Sequence, residues 1–243
     1  MYTTIIFVNV FFKNRRSSPF FCFTPWVSLF TFFVELVLAG YVVYRYRLNQ
    51  FSRIIVLVLI LLGMFQLAEY VMCTGTDVLF WGKIGAASIT ILPVLCVHLV
   101  TMLTRKSRWT QVGYIIGSVI IAAILFTPVL QNIQCTGSYV VVNFHDWFSI
   151  LFNGYYVLFL IIGVEMLVRT WMQHKGDKQE LFWAMAVYMA FLIPTALVYI
   201  LMVTTHNGTP SIMCGFAVFG AIVVVFKELP RFYRVSGKKK KRR

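Results

Sequence analysis

The residues able to do chemistry are few, and they sit inside long apolar stretches. Glu35 stands alone in the first stretch, Gln66 and Glu69 in the second, His98 in the third, and Asn153 and Glu165 in the fifth. An ionisable group in hydrocarbon costs roughly 2.5–3.5 kcal/mol on insertion scales, so each is a functional candidate. Gln66 and Glu69 are three apart and share a helix face. Glu165 lies four residues before Arg169, the spacing of an i,i+4 ion pair at an interface. Glu35 has no such neighbour; it takes a partner from another helix or is protonated. His98 follows Pro93 by five residues and reads as a ring bonded to a backbone or hydroxyl group, because a metal needs several converging ligands. The other histidines, His145, His174 and His206, form no HExxH or HxxxH pair with it. A zinc hydrolase is therefore not expected. Neither is a retinal protein, since Lys227 falls at the edge of the last stretch rather than deep within it. No cofactor and no metal are expected.

The elements that must position these groups follow from composition. Of 243 residues 60% are apolar and 12% charged, against roughly 25% charged in ordinary soluble domains. Mean hydropathy is +0.80. This excludes a soluble enzyme, a disordered chain and a disulfide-dense secreted domain. A membrane helix needs about 20 mostly apolar residues. Seven stretches qualify: Trp26–Tyr44, Ile54–Met72, Leu79–Leu103, Thr110–Leu130, Trp147–Val168, Leu181–Val203 and Ser211–Phe226. The expected fold is an all-α integral membrane protein, a seven-transmembrane helix bundle. Residues 1–25 read as an interfacial or disordered extension, 26–234 as the membrane domain and 235–243 as a basic tail. Pro93 and Pro194 fall mid-span, where proline removes a backbone hydrogen bond and kinks the helix. Two such kinks open a central cavity or supply a hinge, beside the plainer reading of simple helix shape.

The net charge of +14 is an orientation signal. Arg45, Arg47 and Arg53 share the first connection; Arg105, Lys106 and Arg108 the third; Arg169, Lys175 and Lys178 the fifth. With the nine basic residues from Lys227 to Arg243, eighteen of the 22 lie on one side. The opposite side has Lys83. The positive-inside bias then puts the N-terminus outside and the C-terminus in the cytoplasm, in a multi-pass protein of the cell (plasma) membrane. Lys13, Arg15 and Arg16 run against that order. Lys238–Arg243 reads as an anchor on anionic lipid, about 1 kcal/mol per charge near the surface. Docking to an acidic partner comes second. Nucleic acid is not an expected partner, because no folded module accompanies the run.

On the outer side a tripeptide recurs, Cys73-Thr74-Gly75 and Cys135-Thr136-Gly137, and predicts a Cys73–Cys135 disulfide in an oxidising compartment. Cys96 reads as apolar filler, and Cys214 is a competitor for pairing. Residues 139–143 can form a short strand. Most outer aromatics are interfacial. Acids beside aromatics suggest an outward-facing pocket with polar anchors Gln66, Glu69, Trp81, Asn153 and Asp146.

The stretch WGKIGAASITILPVLCVHLVTMLTRK (Trp81–Lys106), with HDWFSILFNGYYVLF (His145–Phe159) and FWAMAVYMAFLIPTALVYILM (Phe182–Met202), resembles the N-terminal seven-helix sensor region of bacterial membrane histidine kinases. The likeness runs from the second helix to the end of the seventh. In that family an outer Trp opens the third helix, a Leu-Pro pair breaks it, and a His or Phe follows. Trp81, Leu92-Pro93 and His98 occupy those places. FQLAEYVMC (Phe65–Cys73) departs from the general pattern, and no phosphoacceptor or nucleotide-binding region follows here. The resemblance implies a non-enzymatic sensor module that signals through a separate cytoplasmic partner, and the outward-facing anchors suggest a small apolar or amphipathic ligand bound from the outer side. The alternative is a transporter or channel component with Glu35, Glu69 and His98 on an ion or proton path. A lipid-modifying enzyme would need a nucleophile or metal cluster that the sequence does not display.

Overall fold

A computed structural model describes residues 25–75, 77–104, 108–135, 140–173, 178–201 and 209–233. The basic tail and nearly all of the N-terminal extension, both read from sequence, lie outside the described residues. The elements are α1 (Pro25–Arg45), α2 (Gln50–Thr74), α3 (Val78–Thr104), α4 (Arg108–Phe126), β1 (Leu130–Cys135), β2 (Val140–Phe144), α5 (Asp146–Met172), α6 (Lys178–Leu201) and α7 (Thr209–Val223). Five of these helices, α1 to α5, are long and apolar enough to cross a membrane.

Local chemistry sets the ends. Pro25 opens α1 and Pro210 falls in the first turn of α7, where a missing N–H leaves no bond unmade. The side chain of Asn49 caps α2 by accepting from the Ser52 amide at 2.9 Å. The fourth helix stops at Phe126, short of the expected Leu130. Pro128 disfavours helical geometry in the residue before it, and Leu130 instead begins a strand. The molecule is therefore not purely helical. β1 and β2 form an antiparallel hairpin that pairs Cys135 with Val140 and Leu130 with Phe144, with an irregularity between Leu130 and Asn132. The strand read at 139–143 is β2, shifted by one residue.

Beyond Val223 the last helix widens into a π turn, Val224–Glu228, in which the Leu229 amide donates to the Val224 carbonyl. Pro230 supplies the cause. It has no N–H, and its ring clashes with a carbonyl one turn back, so the turn before it opens.

Neighbouring helices pack in sequence, α1 on α2, α2 on α3, and α3 on both α4 and α5, whereas α6 and α7 pack most heavily on each other. The main core lies among α3, α4 and α5, around Val94, Ile124, Phe148, Phe152 and Phe159. Gly113 allows α4 to come this close. A Cβ there would lie 2.5 Å from Phe159 Cε1 and 3.0 Å from Val94 Cγ1. A second core joins α1, α2 and α7 through Leu38, Val42, Ile55, Leu59, Val225 and Leu229.

Candidate functional site

Two neighbourhoods could do chemistry, one polar and one apolar, and α2 forms a wall of each. The polar one is the α1–α2 seam. Glu35, Gln66 and Glu69 are all buried, at 0%, 2% and 4% exposure. Ser28 Oγ donates to Glu69 Oε2 at 3.2 Å, across the seam. Further along, a Cβ on Gly63 would stand 3.3 Å from the Phe32 ring and 3.5 Å from Glu35 Oε2, so glycine there lets the ring pack beside the carboxyl.

Past Glu69 the seam meets the hairpin. Cys73 and Cys135 are disulfide-bonded with Cα atoms 5.4 Å apart, as the repeated tripeptide predicts. Val140 packs with Ala68 and Met72, and Cys73, Trp81 and Ile133 gather around them. Ile133 also fills the space beside Gly82. The bond and the apolar contacts thus hold the hairpin over the ends of α2 and α3. Lys83, on the same end of α3, donates to the Leu125 carbonyl at 2.9 Å and satisfies the end of α4.

The five anchors read from sequence do not gather in one pocket. Gln66 and Glu69 are in the α1–α2 seam, and Trp81 packs under the hairpin. Asp146 is exposed in the first turn of α5, where an acid complements the helix dipole. Asn153 is exposed too, and its amide donates to Ser149 Oγ of its own helix at 3.3 Å. A uniformly apolar helix does not reveal which face it turns inward, so spacing alone could not place Asn153.

His98 has the hydroxyl partner expected of it, with Nδ1 2.8 Å from Tyr114 Oη. That bond ties α3 to α4. Among the described residues no group of three His, Cys, Asp or Glu could hold a metal. Glu165 and Arg169 form the i,i+4 ion pair, with both side chains largely exposed. Glu165→Gln is therefore expected to change thermal stability by less than about 0.5 kcal/mol. A larger loss in a melting curve would mean the pair is shielded from solvent.

The apolar neighbourhood is a cavity of about 90 Å³ lined from α2, α3, α5, α6 and α7. Leu59, Leu62, Leu92, Pro93, Leu160 and Val224 form much of its wall. It lies at the joint between the α6–α7 pair and the rest of the bundle. Pro93 was a legible signal for it, because proline spaces α3 from its neighbours. Tyr155 Oη donates to the Thr90 carbonyl at 2.8 Å and braces α3 just before that point. The leucines were not legible, being alike in sequence to those that face outward. Pro194 lies in α6, but its surroundings fall outside the described residues.

From the cavity, α7 runs to the α1–α2 connection. Phe232 stacks on Phe51 at 4.2 Å with planes 11° apart. Tyr233 Oη lies 2.9 Å from Ser52 Oγ and also bonds the Arg47 carbonyl. A shift at Val224 therefore bears on a fixed aromatic dock about two turns away. No protein-family model matches the chain, and no curated protein matches it.

Proposed function

We propose that the chain is a multi-pass, non-enzymatic membrane sensor module of the plasma membrane. It takes a small apolar or amphipathic ligand into the cavity between α2, α3, α5 and the α6–α7 pair. The observation that carries this reading is the cavity itself: it is apolar, it is built from five helices, and it is walled by Pro93 on one side and the start of the π turn on the other. At about 90 Å³ it is smaller than the roughly 150 Å³ cavity that admits benzene, so a slender alkyl group suits it better than a ring.

In this reading all seven helices span the bilayer, with the arginine-rich connections and the C-terminus in the cytoplasm. The positive-inside bias supports that orientation. Ligand in the cavity shifts how the α6–α7 pair sits against α2 and α3, and the Phe232–Tyr233 dock carries the shift to the cytoplasmic end. The basic tail rests on anionic lipid, and a separate cytoplasmic protein reads the change. The likeness to kinase sensor regions supports such a partner.

The test is photolabelling in lipid nanodiscs with a medium-chain alkyl diazirine. Label is expected on the α2 segment 55–62 and the α3 segment 92–99. Ala217 lines the cavity, so Ala217→Phe should fill it and abolish that labelling while the melting temperature stays within a few degrees. Labelling confined to exposed positions such as Leu158 and Ile161, or unchanged in the variant, would sink the proposal.

A further inference from the structure

We propose that the α1–α2 seam holds an exchangeable monovalent cation, a proton or Na⁺, at Glu35, reached from the Trp26–Tyr70 end past Ser28, Glu69 and Gln66. This goes beyond the apolar-ligand reading and stands or falls separately from it.

Glu35 is the midpoint of α1, ten residues or roughly 15 Å of helix from either end. It is wholly buried, and neither carboxylate oxygen has a hydrogen-bond partner among the described residues. The charge that acts on it is that of Glu69, of the same sign. The third helix packed nearby, α7, meets α1 through Ala221 and Val225. The charged residues of α7 and its extension, Lys227, Glu228 and Arg231, lie further on. Phe226 is already level with Tyr41, at 5.6 Å between rings, and Tyr233 with Tyr46, at 5.2 Å. No basic side chain among the described residues therefore neutralises Glu35. A buried carboxyl in that position needs a bound positive charge, since an isolated ion is too costly to bury.

The seam has the form of a one-ended ladder. The helices run antiparallel, so seven residues along α1 from Ser28 to Glu35 match six residues back along α2 from Glu69 to Gly63. Gln66 lies between these two rungs, 2% exposed, with its Nε2 unpartnered. A hydroxyl, an amide and two carboxyls are hard oxygen donors, suited to a proton or alkali ion and not to a soft transition metal. The Trp26 and Tyr70 rings, 5.8 Å apart, stand at the near end. Beyond Glu35 the seam turns apolar, with Leu38, Ala39, Ile55 and Leu59. A ladder closed at one end loads and unloads a cation; it does not conduct one. The arrangement thus favours a sensing site over the ion path of the transporter alternative.

The experiment uses the full chain in lipid nanodiscs with dicyclohexylcarbodiimide, which reacts with protonated carboxyls in apolar surroundings, and peptide mass mapping. Labelling at Glu35 is expected to fall with rising pH, about tenfold per unit beyond the midpoint. If Na⁺ is the occupant, replacing choline with Na⁺ at fixed pH protects Glu35 as well. Infrared difference spectra of the same samples should show a carboxyl band that follows pH or Na⁺ and disappears in Glu35→Gln. A response to pH alone assigns the proton, and a response to Na⁺ at fixed pH assigns the metal ion. Wild-type labelling and band that both ignore pH and Na⁺ overturn the proposal. So does a folded Glu35→Gln protein that keeps the band. The wild-type arms do not depend on any variant folding.

Discussion

Phe159→Ala is expected to destabilise the protein by about 3–5 kcal/mol, read as thermal or denaturant unfolding in micelles. The ring is 1% exposed and sits where α3, α4 and α5 meet. Its removal leaves a void that Gly113 cannot fill, because glycine has no side chain to move in. Leu158 supplies the control. It is the adjacent residue on the same helix but is 50% exposed, so Leu158→Ala should stay within about 0.5 kcal/mol of wild type. Equal losses in the two variants would mean that the α3–α4–α5 junction is packed differently. Gly113→Ala probes the same point from the other side. It is expected to be destabilising by about 1–3 kcal/mol, because Phe159 would have to leave its place.

Replacing Cys73 and Cys135 together by serine is expected to cost roughly 2–4 kcal/mol. The bond closes a loop of 62 residues in sequence, which contains all of α3 and α4. An unconstrained chain would give the upper end of that range. Helices that persist in micelles after unfolding reduce the entropy gained, which gives the lower end. Heating under reducing and non-reducing conditions checks the expectation. Wild type should lose stability on reduction, and the double variant should not respond. If reduction leaves the wild-type melting temperature unchanged, the hairpin is held by Ile133 and Val140 alone.

How much of this could be read in advance differs by residue. Helix positions came from run length and from breakers, and Pro128 ended α4 earlier than hydropathy did because a breaker outranks an apolar run. The cysteine pairing was legible because a repeated Cys-Thr-Gly is specific, and the Glu165–Arg169 pair because i,i+4 geometry is local. The shared face of Gln66 and Glu69 followed from their spacing of three residues. The facing of Asn153 did not. In water an amphipathic stripe separates core from surface, but lipid and protein core are both apolar, so the stripe vanishes. The leucine wall of the cavity was hidden for the same reason, since Leu62 and Leu160 carry no mark that distinguishes them from Leu57 or Leu158. The π turn is a consequence of Pro230 that shows only when the bond lost upstream is followed through.

The self-contained packing of α6 on α7 has a consequence for the order in which the molecule comes apart. A pair whose largest single contact is with itself is a natural cooperative unit of opening. The disulfide ties the end of α2 to the hairpin around α3 and α4, α1 packs on α2, and α5 is held to α3 by aromatic packing and the Tyr155 bond. The terminal pair meets this block through Leu181, Ala184 and Tyr188 of α6 in the main core, and through the second core and the aromatic dock at α7. Amide exchange should therefore quicken in α6 and α7 before it does in α3 and α5. A helical hairpin that can swing out as a unit is also one that a newly made chain can add last, after the stapled block has already found its shape.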